Sequence, residues 1–162
     1  MANNLWRTPD PVFNFMDERY NFEADMAASL INKKVNRYFT EEDNSLGFTW
    51  SKMLPECSWV WCNPPYDQPY PWVWRAVESQ RYNLGSLLLV KTDHSTAWFD
   101  LAFENCSKII HVRGGRISFI PPKPEDESSN NFCSMFLEFD PLNIGKQQTE
   151  YVHIKDLMNA SN

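Results

Sequence analysis

Glycine is scarce, with five in 162 residues, and no G-x-G-x-x-G or G-x-x-x-x-G-K run is built from them. The usual glycine-rich signals for dinucleotides and nucleoside triphosphates are therefore missing, and any nucleotide-like ligand is held in another way. Cys57, Cys62, Cys106 and Cys133 form no C-x-x-C pair. Their spread over apolar segments argues against a zinc site or a disulfide framework, and they read as reduced core thiols. His94, His111 and His153 lack the i,i+4 spacing of a metal pair, so no metal is expected. No apolar run approaches the roughly 18 residues that span a bilayer, and residues 1–10 lack the basic-then-apolar pattern of a signal peptide. A soluble, cytoplasmic protein with no membrane partner is expected. Positive charge is also short: 15 Lys plus Arg face 21 Asp plus Glu, for a formal charge of −6. Any nucleic acid must meet a local basic face.

What is present is apolar and aromatic, at 43% and 15% of the chain, which excludes a disordered polar body. The length suits one domain over residues 1–162, with a core over about residues 6–140. Pro9 and Pro11 sit where helix starts tolerate proline, and Val12, Phe13, Phe15, Met16 and Tyr20 follow at near-helical spacing, predicting a helix of about three turns. Residues 22–25 read as an edge strand, 26–31 as a helix leading into Lys33, Lys34 and Arg37, and 40–55 as a loop. A buried strand is predicted over 58–62, a helix over 72–82, a central parallel strand over 86–90, and a helix over 95–105 capped by Ser95. Strands over 108–112, 116–120 and 132–139 complete the set, with a mobile polar loop at 123–131. Early alternation and a strand-rich end predict an α/β fold with a mixed sheet.

The most informative tetrapeptide is Asn63-Pro64-Pro65-Tyr66, directly after the aromatic strand W-V-W-C. A strand of an open α/β sheet delivers such a turn to its carboxyl end, where these folds build sites, and the tetrapeptide is expected to leave it into the largest polar cleft. Two prolines fix both φ angles and remove both N–H donors, so the carbonyls of Asn63 and Pro64 form a rigid acceptor platform. The Asn63 side-chain oxygen accepts one hydrogen of an exocyclic amine and the Pro64 carbonyl the other. Tyr66 adds a face for stacking a planar base. An amine held this way attacks an electrophilic methyl group in line, with no metal needed. The alternative is a turn that only ends a strand, with Asn63 capping the chain and Tyr66 packing.

Other pieces accompany the tetrapeptide: W-R-T-P at 6–9, D-M-A-A at 25–28, Y-F-T at 38–40 followed by E-E-D, T-D-H-S-T at 92–96 with Trp98 and Phe99, R-G-G-R-I at 113–117 with Phe119, and S-M-F at 134–136. This ordered set resembles the phage-type Dam-like DNA N6-adenine methyltransferases. The resemblance implies a Rossmann-like domain, a mixed but mostly parallel sheet with flanking helices, that uses S-adenosylmethionine to methylate N6 of a flipped adenine. It implies double-stranded DNA as partner, GATC as the first expected target, and a phage-encoded protein acting in the bacterial host cytoplasm. By the same resemblance Asn63, Pro64, Pro65 and Tyr66 are catalytic, and Trp6, Thr8, Pro9, Asp25 and Asn63 border the cofactor. The Asp25 carboxylate suits a hydrogen bond from the cofactor's amino group or a ribose hydroxyl, its alternative being a helix cap. The sequence departs from the wider class of amino methyltransferases in lacking a glycine-rich loop, with only Ala27 and Ala28 small in its place.

Lys33, Lys34, Arg37, Arg113 and Arg116 are candidates for phosphate contacts, each with a solvated charge face as its alternative. Asp93 and Trp98 follow a strand that would lie beside the tetrapeptide, so they are candidates for the same pocket or for capping and core packing. The acidic residues at 125–127 would repel a duplex and should point away or move. Two rivals stay open: the same geometry acting on a protein glutamine amide or an RNA base amine, and a catalytically inactive relative that keeps cofactor or nucleic-acid binding.

Overall fold

The computed structural model describes residues 6–125 and 132–160, so residues 126–131 of the polar segment lie outside the described residues. Six strands form one sheet in the order β1-β2-β3-β5-β4-β6. They are β1 (Ala24–Asp25), β2 (Trp59–Cys62), β3 (Gly85–Lys91), β4 (Lys108–Arg113), β5 (Ser134–Phe139) and β6 (Gln148–His153). Pairs β1–β2, β2–β3 and β4–β6 are parallel, whereas β5 is antiparallel to both β3 and β4. Five strands therefore run one way, and their carboxyl ends share an edge with the first residue of β5, where Ser134 pairs with Lys91. The fold is α/β and Rossmann-like, as expected; the strand at 86–90 is central but parallel on one side only.

Four helices cover the sheet: α1 (Asp10–Tyr20), α2 (Tyr70–Gln80), α3 (Ala97–Asn105) and α4 (Ile154–Met158). Helix α1 starts as anticipated, because a proline in its first turn loses no needed N–H, and Val12, Phe13 and Met16 point one buried face at the sheet. It stops at Asn21, whose backbone turns left-handed at φ 51°. Side chains alternate across each strand and split the core in two. Val60, Cys62, Leu88, Val90 and Leu137 meet Val73, Ala76, Val77 and Ala102 of α2 and α3. On the other face Trp61, Leu87, Leu89, Ile110 and Phe136 meet α1 and Leu157 of α4. No helix among the described residues is long and apolar enough to cross a membrane.

Several local expectations need correction. Residues 26–31 form no helix; the chain turns there, because the Asp25 carboxylate takes the backbone N–H groups of Ala27 and Lys34 at 3.3 and 3.0 Å. The third helix is capped by Thr96, whose hydroxyl accepts from Phe99 N–H at 3.3 Å, rather than by Ser95. Residues 116–120 make a single bridge, Ile120 with Arg7, and no strand. Cys62 and Cys106 are core thiols, but Cys57 and Cys133 are exposed.

Candidate active site

Strand β2 lies inside the sheet and ends at Cys62, so Asn63-Pro64-Pro65-Tyr66 leaves from the carboxyl edge. Pro64 is buried and the other three are half-buried. The Asn63 amide nitrogen donates to Thr8 Oγ1 at 3.1 Å, across 55 residues of sequence. Its Oδ1 is buried and has no hydrogen-bond partner among the described residues. An unmade bond to a buried amide oxygen costs about 1–3 kcal/mol, so an open acceptor at the end of a strand points to a ligand that supplies the missing donor. Thr8 is 2% exposed, and the strand-like bridge of Arg7 with Ile120 holds its segment against the edge.

Tyr66 reaches from the end of β2 across β3 to β5. Its phenol oxygen lies 3.3 Å from Ser134 Oγ, and its ring meets Phe119 edge-on with centroids 5.7 Å apart. Burial pushes its pKa well above the ordinary phenol range, which keeps the hydroxyl protonated. Phe119 and Ser134 are the site neighbours that sequence reasoning did not single out as site residues. Both lie in segments that carried the family resemblance, yet they stand 53 and 68 residues from Tyr66, and no local periodicity ties them to it.

Asp25 ends β1 directly beside Trp61 in register, two residues before Asn63. It is 2% exposed, and burial pushes its carboxyl up to about 6 despite the two backbone N–H groups it accepts. At neutral pH it is largely ionised, with a second lone pair left on each oxygen.

A family model described as DNA N-6-adenine-methyltransferase (Dam) matches residues 1–162. The chain belongs to the Dam family. Among Dam relatives, the DNA N-6-adenine-methyltransferase of Haemophilus phage HP1 (strain HP1c1) is 33% identical over 159 residues, 95% of this chain and 89% of its own length. The DNA N-6-adenine-methyltransferase of Escherichia phage T1 is 32% identical over 173 residues, 96% of this chain and 71% of its own.

The remaining candidates of this Dam-family chain separate. Trp98 is buried in the α2–α3 core, which is the packing alternative. Asp93 accepts from the Ser95 N–H and hydroxyl at 3.2 and 2.7 Å and so shapes the turn before α3. Lys34 pairs with Asp10, Arg37 donates to the Met53 carbonyl and faces Glu23, and Lys33 lies over the Tyr38 ring. Arg113 ends β4 and Arg116 follows two glycines, both exposed near the carboxyl edge. Trp6 packs half-buried on the α1 face and Pro9 precedes α1. Two surface pockets flank Trp74 on α2, and neither is lined by Asn63-Pro64-Pro65-Tyr66.

Proposed function

We propose that this chain transfers a methyl group from S-adenosylmethionine to N6 of an adenine flipped out of double-stranded DNA. Asn63, Pro64, Pro65 and Tyr66 stand at the reacting centre, with Trp6, Pro9 and Asp25 beside the methyl donor. The observation that carries this reading is the buried, unpartnered Asn63 Oδ1 with its nitrogen already held by Thr8. An adenine amine brings two hydrogens; Oδ1 accepts one and the Pro64 carbonyl the other, which aims the nitrogen lone pair away from both. The same two oxygens would stabilise the positive charge that the nitrogen gains as the methyl carbon leaves the sulfonium sulfur, which departs as a neutral thioether, and the nitrogen would then release one proton to solvent.

S-adenosylmethionine, when bound, supplies a sulfonium-activated methyl group. The residues present suit it: the ionised Asp25 keeps lone pairs for an amino or hydroxyl donor, and the half-buried Trp6 lies on the α1 side. Tyr66 supplies an aromatic wall for the base, which leaves the stack because its amino group is inaccessible inside a duplex. Family membership and the activity for which the two phage relatives are named support adenine in DNA over other planar amines.

Labelled methyl transfer tests this directly, with a GATC duplex, an adenine-containing RNA and a glutamine peptide as acceptors. Label in N6-methyladenine of the duplex is the expected result. Transfer to the RNA or the peptide alone would reassign the substrate, and no transfer to any acceptor by a protein that binds S-adenosylhomocysteine would make the chain an inactive relative.

A further inference from the structure

Thr8 comes to the candidate site as a methyl-donor residue by family resemblance, but its hydroxyl is engaged elsewhere. Oγ1 accepts from Asn63 Nδ2 at 3.1 Å, and Thr8 is 2% exposed, so bulk water does not stand in for it. An amide is nearly symmetric in shape and opposite in chemistry at its two ends. With the nitrogen end held on Thr8 through one of its two hydrogens, the end left facing the site is the acceptor Oδ1, which is buried and unpartnered among the described residues. Turned round, the same amide would present two N–H donors to an amine that also brings donors, and the contact would be repulsive.

We propose that Thr8 is a positioning residue for Asn63: its hydroxyl holds the amide nitrogen so that the oxygen faces the target amine, and the side chain does not serve the methyl donor. This inference rests on Asn63 being the acceptor for the amine. The segment around Thr8 is suited to the task. Its neighbour Arg7 exchanges two backbone hydrogen bonds with Ile120, at 2.9 and 2.8 Å, and Pro9 opens α1, so the hydroxyl is carried on fixed backbone on both sides.

The test compares Thr8→Val, which keeps the shape and removes the acceptor, with Thr8→Ser, which keeps the hydroxyl. Steady-state methylation of a duplex, S-adenosylhomocysteine affinity and thermal unfolding are measured for both. Thr8→Val is expected to lower kcat by about tenfold, the scale of one neutral hydrogen bond expressed at the transition state, with S-adenosylhomocysteine affinity within about twofold of the parent. Thr8→Ser is expected to retain at least about a third of the parental rate. If the valine variant does not fold, Thr8→Ala takes its place with the same expected result.

The same substitution in an Asn63→Asp background supplies the second arm. A carboxylate has two equivalent acceptor oxygens and needs no orienting partner, so removal of the Thr8 hydroxyl there is expected to change the residual rate by less than about twofold. Parental kcat in the variants lacking the hydroxyl, a serine variant as impaired as valine, or a rate loss matched by an equal loss of S-adenosylhomocysteine affinity would each overturn the role. If instead Asn63→Ala itself methylates at the parental rate, the acceptor reading has failed and this inference falls with it.

Discussion

Asn63 and Asp25 are polar side chains at the ends of adjacent strands, and they differ in what remains for them to bind. The Asn63 oxygen has nothing, whereas both oxygens of Asp25 already accept backbone N–H groups. Asn63→Ala removes this unpaired acceptor together with one structural hydrogen bond, from Nδ2 to Thr8. It is expected to cost a hundredfold or more in methyl transfer, roughly the effect of deleting a transition-state hydrogen-bonding group, while unfolding free energy in urea falls by only about 0.5–1.5 kcal/mol and S-adenosylhomocysteine affinity changes little. Asn63→Asp should recover part of the rate. Asp25 governs pH dependence instead. Burial raises its folded pKa from 3.8 to about 6, so between those values the native state holds the proton more tightly than the unfolded chain. Stability from this group is then greatest near pH 4, falls as pH rises to about 6, and is flat above; the span is on the order of 3 kcal/mol. Urea unfolding of the parent and of Asp25→Asn across pH 4–7 isolates it, since the opposing contributions of Asp93 and Glu150, both lowered, cancel in the difference. Equal slopes for the two proteins would assign the transition to another group.

At the scale of elements, the seat of α1 depends on a small residue in β3. Gly85 pairs in register with Trp59, and a Cβ at Gly85 would overlap the Trp59 indole. That indole in turn lies 4.7 Å from the Tyr20 ring, and the Tyr20 hydroxyl donates to Glu138 at 2.5 Å, fastening the last turn of α1 to the sheet. Gly85→Ala is expected to lower unfolding free energy by about 1–3 kcal/mol, the usual penalty for overpacking a filled core, although alanine suits a strand better than glycine. Denaturant unfolding followed by tryptophan fluorescence measures it. Elements of this kind differ in how far their sequences reveal them. Helix α1 is legible because prolines and apolar spacing agree, and β2 because an aromatic run meets a proline pair. Residues 26–31 mislead because good helix formers are overruled by a single buried carboxylate that captures the backbone. Strand β6 leaves no apolar trace: as the exposed edge of the sheet, Gln148–His153 buries only Val152. The tetrapeptide is legible as chemistry, but its partners Thr8, Phe119 and Ser134 are set by tertiary contacts that no spacing encodes.

For the whole molecule the question is how a chain of net charge −6 meets a polyanion. The fold divides its basic groups. On the β1 side Lys34 is matched by Asp10 and Arg37 by Glu23, and at the other end of α1 Arg19 is paired with Glu150 at 2.7 Å, with Lys108 3.3 Å from the same carboxylate. Those cations are neutralised within the fold and add little to the field that a duplex feels. Arg113 is different, since it ends β4 on the carboxyl edge that also carries Asn63, exposed and without a carboxylate partner among the described ion pairs. Under the proposed function a duplex that brings an adenine to Asn63 passes this edge, and Arg113 is then expected to meet a phosphate. Arg113→Ala should weaken duplex binding about equally for all sequences and reduce the slope of log affinity against log salt by about 0.9, the counterion release of one phosphate contact. Arg37→Ala should leave that slope unchanged. Fluorescence anisotropy of a labelled duplex over a salt series measures both, and a slope reduced by Arg37→Ala but not by Arg113→Ala would move the phosphate track to the β1 side of the sheet.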